Sequence, residues 1–337
     1  NSVVVTVTDP GGQSDNCTTT ITVVDNMPPV ARCKDITVNL DASGNAFITA
    51  NNVDNGSSDN CNSSPTLGID ISSFTCADLG ANTVTLTVTD DYGNTATCTS
   101  TVTVVDAVNP TVTCAVGNQT VSTDNNLCTY THSGTGWDAS ATDGCTTIAS
   151  LTYALSGATE VVSNPANTSL DGVTFNKGVT TVIWTAIDGS GNAGNCSFTV
   201  TVEDHQNPTA VCQNVTIQLD GSGNASIVAA DVNNNSSDNC GIQSLAVSPN
   251  TFTCVNLGAN TVTLTVTDLS GNVSTCEATV TVEDVSPPVA SCQNLTVQLS
   301  AAGSVTVAGI EVNDGSTDNS TCPLTYLVSK TLTGTYT

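Results

Sequence analysis

Bases are nearly missing from this 337-residue sequence. Arg32, Lys34, Lys177 and Lys330 stand against 30 acids, for a formal net charge of −26. Nucleic-acid binding needs Lys and Arg to neutralise phosphates, so it is excluded. Attachment to an anionic membrane surface is excluded on the same ground. Long apolar runs are missing too. None exceeds four residues, so nothing reads as a membrane-inserted span. Aromatics make up only 4%, and small domains so poor in large side chains need another source of stability. No C-x2-C pair occurs, and His132 and His205 are the only histidines, so zinc is not expected. The opening "NSVVVTVTDPGG" lacks the basic start and apolar middle of a signal peptide. It reads as a strand and a turn, as if the sequence opened inside a longer protein.

Thr, Ser, Asn, Asp, Val and Gly dominate what is present. Val and Thr are β-branched and favour strands, and Asn, Asp, Gly and Ser form turns. Fifteen cysteines point to disulfides and an oxidising compartment. The acidic balance suits a soluble surface that binds cations or works in salty medium; acidity for solubility alone is the competing reading.

"LGANTVTLTVTD" stands at Leu79–Asp90 and again, letter for letter, at Leu257–Asp268. Repetition of this kind marks a chain built from units. Cys98, Cys196 and Cys276 each follow a "GN" turn and Cys17 follows the related "DPGGQ" turn; Cys33, Cys114, Cys212 and Cys292 each follow a proline linker. The two classes recur in step. Cys61, Cys145, Cys240 and Cys322 sit in or just after Asp-rich turns. Within a unit, "TVTLTVTD" places Val84, Leu86 and Val88 on one face and Thr83, Thr85 and Thr87 on the other, which marks a strand with one buried face. "NAFITA" and "DITVNL" read as further strands. Short strands with frequent turns predict an all-β chain of tandem immunoglobulin-like β-sandwiches in an extended array. Trp184 aligns with Leu86 and Leu264, and Trp137 with Val53 and Val232, so both are read as core.

A proline linker, a cysteine, "TDGC" and "VTTVIWTAIDGSGNAGNCSFTVTVED" together resemble the HYR repeat, an immunoglobulin-like module of extracellular adhesion proteins. The 109–204 unit is the most similar. The units at 28–106 and 207–284 resemble shorter, related repeats found in tandem in very large surface adhesins of Bacteroidota, including those of gliding motility. The implied layout is the end of one repeat at 1–26, repeats at 27–107, 108–205 and 206–285, and the first part of another at 286–337. The resemblance implies an extracellular location on a bacterial cell surface. The chain departs from the simplest HYR pattern by carrying four cysteines per unit.

Four cysteines allow three pairings. In a sandwich the first and last strands run parallel, so their starts share one end. That favours Cys33–Cys98, and by repetition Cys114–Cys196 and Cys212–Cys276. The leftover cysteine of each unit would then pair with its own acidic-turn cysteine, giving Cys61–Cys76, Cys128–Cys145 and Cys240–Cys254. Cys17, Cys292 and Cys322 would find partners outside the sequence. Bonds closing loops of about 15 residues would contribute roughly 3 kcal/mol each.

Three acidic positions recur. One ends the last strand: Asp25, Asp106, Asp204 and Asp284. One lies in the cysteine turn: Asp59, Asp143, Asp238 and Asp318. One opens the last hairpin: Asp9, Asp90, Asp188 and Asp268. In an immunoglobulin-like sandwich these loops meet at one end, where the preceding unit's last Asp also arrives. Carboxylates crowded without bases repel one another unless a cation sits among them, and calcium accepts six to eight oxygens in irregular geometry. Calcium at the junctions is one reading; the other is that Asp supplies only turn and capping chemistry.

No unit carries a private cluster of acids, so no catalytic residues are expected and the chain is not read as an enzyme. Two functional readings stay open. In one, disulfide-stapled repeats contact their neighbours and build a stalk or filament for adhesion or gliding; at roughly 27 Å per strand of about eight residues, four units would span on the order of 100 Å. In the other, the repeats bind extracellular glycans or surface proteins through exposed loops, or assemble laterally into a sheath.

Overall fold

The computed structural model describes residues 1–61, 63–318 and 322–328. It is nearly all β, with 46% strand and 6% helix. The chain forms two compact units. The first comprises Asn1–Gln119, Ser133–Val173 and Thr180–Thr199; the second comprises Thr120–His132, Thr174–Val179 and the described residues from Val200 onward.

In the first unit, strand Gly80–Thr89 pairs antiparallel with Thr95–Val105, setting Leu86 opposite Cys98, and on its other side with Thr66–Ile69. Ile36–Asn39 joins the free edge of Thr95–Val105 in parallel. A second layer, Asn45–Phe47 against Ser73–Thr75, closes the sandwich. The alternation in the sequence explains what lies between the layers. Val84, Leu86 and Val88 are fully buried with Phe74, Val102 and Val104, and each such side chain contributes about 1.5–3 kcal/mol. The threonines between them stay exposed or half-buried. "NAFITA" is strand only as far as Phe47. The backbone then makes one helical turn, Ala50–Val53, which drives Val53 into the core.

The same unit holds the ribbon Ser2–Thr8 with Ser14–Thr20, the short pair Thr111–Thr113 with Ser140–Thr142, and Ile148–Gly157 paired with strand Gly178–Asp188 from Thr180 onward. Trp184 is fully buried, its ring edge-on to Tyr153 at 5.4 Å. Trp137 packs against Phe198 at 6.2 Å. Both tryptophans are core residues rather than ligand platforms.

The second unit repeats the first plan. Gly258–Asp268 lies between Val273–Glu283 and Ile242–Ser248, and Val215–Gln218 runs parallel to Val273–Glu283. Asn224–Ser226 with Thr251–Thr253 forms the other layer, over Val262, Leu264, Val266 and Phe252. Thr129–Thr131 pairs with Thr174–Asn176 in this unit as well.

Among the described residues six disulfides are present. Cys33–Cys98, Cys114–Cys196 and Cys212–Cys276 join the start of a first strand to a last strand. The other three differ from the expected pairs Cys61–Cys76, Cys128–Cys145 and Cys240–Cys254. The structure joins Cys76 to Cys145, Cys128 to Cys240 and Cys254 to Cys322, and leaves Cys61 free and exposed, along with Cys17 and Cys292. The reason is distance. Cys76 lies in the short turn Cys76–Asp78 before strand Gly80–Thr89. The Cys61 amide donates to Asp59 Oδ2, and Asp59 sits beside Asp90 just after the strand's other end. Ten residues of strand rise about 33 Å, whereas a disulfide needs Cα atoms within about 7 Å. Cys254 and Cys240 are kept apart in the same way by Gly258–Asp268. Closeness in sequence misled; each leftover cysteine finds the acidic-turn cysteine of the following repeat period. The Cys76–Cys145 bond rests on Gly44, whose φ is +74° and where a Cβ would come within 2.6 Å of Cys76 Sγ.

Candidate metal centres

Among the described residues three carboxylate clusters form: Asp25, Asp59 and Asp90; Asp106, Asp143 and Asp188; Asp204, Asp238 and Asp268. Each begins with a hairpin. "DGSGN" closes because Asp188 Oδ1 accepts from the amides of Ser190 and Asn192, at 2.9 and 2.8 Å, while Gly191 takes the positive φ of 92° that the turn needs. Asp188 Oδ2 accepts from Asn192 Nδ2 at 2.9 Å. That same Nδ2 also donates to Asp106 O at 3.1 Å, so Asn192 fixes the hairpin Asp and holds the strand end carrying the second carboxylate. Asn94 ties Asp90 to Asp25 O, and Asn272 ties Asp268 to Asp204 O, in the same manner.

The third carboxylate comes from the cysteine turn. Asp143 Oδ2 accepts from the amides of Cys145 and Thr146, both at 2.8 Å; Asp238 Oδ2 accepts from those of Cys240 and Gly241. The strand-end acids are oriented by the linker that follows. Asp25, Asp106 and Asp204 accept through Oδ1 from the amides of Met27, Val108 and Gln206. These bonds use one oxygen of each carboxylate; the other oxygen of Asp106 accepts from Ser190 Oγ at 3.4 Å and that of Asp204 from Ser270 Oγ at 2.8 Å. Asp25 Oδ2, Asp143 Oδ1 and Asp238 Oδ1 are buried without a hydrogen-bond partner. A buried acceptor in that state costs about 1–3 kcal/mol, more when charged.

Burial pushes the carboxyls of Asp90, Asp188 and Asp268 up, but the hydrogen bonds from Asn94, Asn192 and Asn272 and from the turn amides outweigh it. All three are held below the ordinary carboxylate value. They therefore stay ionised at neutral pH although nearly enclosed; Asp268 is 0% exposed.

The residues fit a hard divalent cation. One ligand atom from each of the three carboxylates lies within 4.8 Å of the others, about twice the 2.3–2.6 Å of a calcium–oxygen bond. The donors are all oxygen, which suits calcium rather than zinc. Asp284 and Asp318 stand outside these clusters. Asp284 accepts from the Ser286 amide at 3.1 Å, and no hairpin Asp joins them among the described residues. Sequence reasoning placed the acids but missed Asn94, Asn192 and Asn272. The "GN" in every hairpin carried that signal and reads as turn chemistry alone.

Comparison with known proteins finds the HYR domain at residues 145–202. No curated protein matches the chain. Solved structures that match include the protocadherin GammaB4 extracellular domain, at 15% identity over 90% of this chain and 62% of that one, with a TM-score of 0.35. The human desmocollin-1 ectodomain matches at 14% identity, over 85% of this chain and 69% of that one, with a TM-score of 0.29. Titin domains I67–I69 match at 9%, over 76% and 99%, with a TM-score of 0.29. The chain thus spans less than two thirds of the first of these proteins, and likenesses at such scores bear on neither ligand nor partner. Among the described residues, no helix is long and apolar enough to cross a membrane.

Proposed function

We propose that the chain is a structural stalk segment of an extracellular adhesion-type protein on a bacterial surface, with calcium at its repeat junctions and no catalysis of its own. The repeats are taken as 27–107, 108–205 and 206–285, flanked by partial ones at 1–26 and 286–337. One observation carries the reading: the same three-carboxylate arrangement recurs three times, each time gathering the last Asp of one repeat with two Asp of the next. A catalytic site has no need of three copies, whereas a joint does. Calcium at each joint would offset two of the three carboxylate charges and pin the linker to two loops. Asp106, Asp143 and Asp188 would hold the ion at the middle joint; the turn amides and Asn192 orient these carboxylates, and the ion would supply positive charge there.

Thermal unfolding of the oxidised chain with and without calcium tests this. A site half-filled at about 0.1 mM, filled at about 10 mM, adds roughly 2.7 kcal/mol. The melting temperature is expected to rise in calcium, and Asp143→Ala and Asp188→Ala to reduce the rise. A melt indifferent to calcium would remove the cation from the account.

A further inference from the structure

The disulfides have a topological property that pairing within repeats would not give. Cys33–Cys98, Cys114–Cys196 and Cys212–Cys276 leave stretches 98–114 and 196–212 spanned by backbone alone. Cys76–Cys145 closes over the first stretch and Cys128–Cys240 over the second, while Cys254–Cys322 extends the cover past Cys276. The six intervals overlap without a break from Cys33 to Cys322.

We propose that this is a nick-tolerant covalent ladder: a single peptide-bond break anywhere between Cys33 and Cys322 leaves the chain one covalent molecule. The bridged stretches include exposed linker residues. Ala107, Asn109, His205, Asn207, Val285 and Pro287 are all accessible, and exposed loops are where proteases cut. In an ordinary tandem array one cut linker frees everything beyond it. Here the cut leaves the next repeat tethered through a disulfide, and the tension of a loaded chain passes to that second strand. The inference stands on connectivity alone and is independent of calcium.

Five glutamates provide the test: Glu160, Glu203, Glu277, Glu283 and Glu311. The oxidised chain is alkylated to block Cys17, Cys61 and Cys292, denatured without reductant, cut to completion by a glutamyl endopeptidase and weighed by mass spectrometry. Peptides 278–283 and 284–311 are expected to be lost. Peptides 1–160, 161–203, 204–277 and 312–337 are expected to stay together as one species and to separate on reduction. Cleavage after Glu203 is bridged by Cys128–Cys240 alone. Release of 204–277 from 1–203 before reduction would overturn the proposal. In a Cys128→Ser/Cys240→Ser variant that same release is expected, with 312–337 still attached to 204–277; a variant that holds together would overturn it equally.

Discussion

Replacing Asn192 by Ala should loosen the middle carboxylate cluster by a calculable amount. The substitution leaves the backbone amide of residue 192 bonded to Asp188 Oδ1 but deletes Nδ2. Two acceptors lose their donor: Asp188 Oδ2 at 2.9 Å and Asp106 O at 3.1 Å. Asp188 is only 2% exposed, so water cannot replace the lost donor easily. A hydrogen bond to a charged group contributes about 1.5–3 kcal/mol and a neutral one about 1 kcal/mol, for a total of roughly 2–4 kcal/mol. The protein has a local reporter for this. Trp137 and Trp184 are its only tryptophans, and both lie in the core of the first unit near this part of the chain. Denaturant unfolding followed by tryptophan fluorescence reads that core directly, even where the chain as a whole is not two-state. Asn272→Ala, in the second unit, should leave the tryptophan transition nearly in place. A loss below about 0.5 kcal/mol for Asn192→Ala would refute the bridging role given to this side chain, since that is the range of an ordinary surface change.

Acid and a buried turn give two further expectations. Asp70 accepts from the Thr85 amide at 2.8 Å, and this bond holds its carboxyl below the ordinary 3.8; Asp220 is lowered likewise by the Asn224 and Ser222 amides. A folded-state value below the unfolded one stabilises fully above the ordinary carboxylate range, and that contribution disappears as pH falls through the folded value. Replacing Asp70 by Asn removes this titration, so the fall in melting temperature below about pH 4 should be smaller in that variant than in the unaltered chain; an equal fall in both would contradict the Asp70 bond. Gly44→Ala should cost more than Gly56→Ala. Both have positive φ, at +74° and +79°, but only at Gly44 would the new Cβ meet the Cys76 and Cys145 sulfurs, at 2.6 and 3.0 Å. The backbone penalty of about 1–2 kcal/mol is common to both, so equal melting temperatures would mean that the disulfide does not rest on Gly44.

Much of the sandwich was legible because its strands are written in strict alternation. Val84, Leu86 and Val88 could face only one way, and the structure buries all three. Ala50–Val53 was not legible, because four residues are too few to display a helical period. The acids were legible as recurring positions, and their convergence followed from where the loops of a sandwich meet. The cross-linking bonds were not. Nothing in the spacing of Cys61 and Cys76 reveals that a ten-residue strand holds them apart, and nothing marks Cys145 as the nearer partner. Asn192 was hidden for a different reason: its turn-forming role accounts for its presence so completely that a second bond, to Asp106, leaves no trace in sequence.

The central claim is that each joint is built around a cation, and counting the ions tests it most directly. Calorimetric titration of the oxidised, chelator-treated chain with calcium should show about three ions bound per molecule, and the Asp143→Ala variant should bind one fewer. A titration without binding heat, paired with equilibrium dialysis showing no calcium retained, would contradict the account.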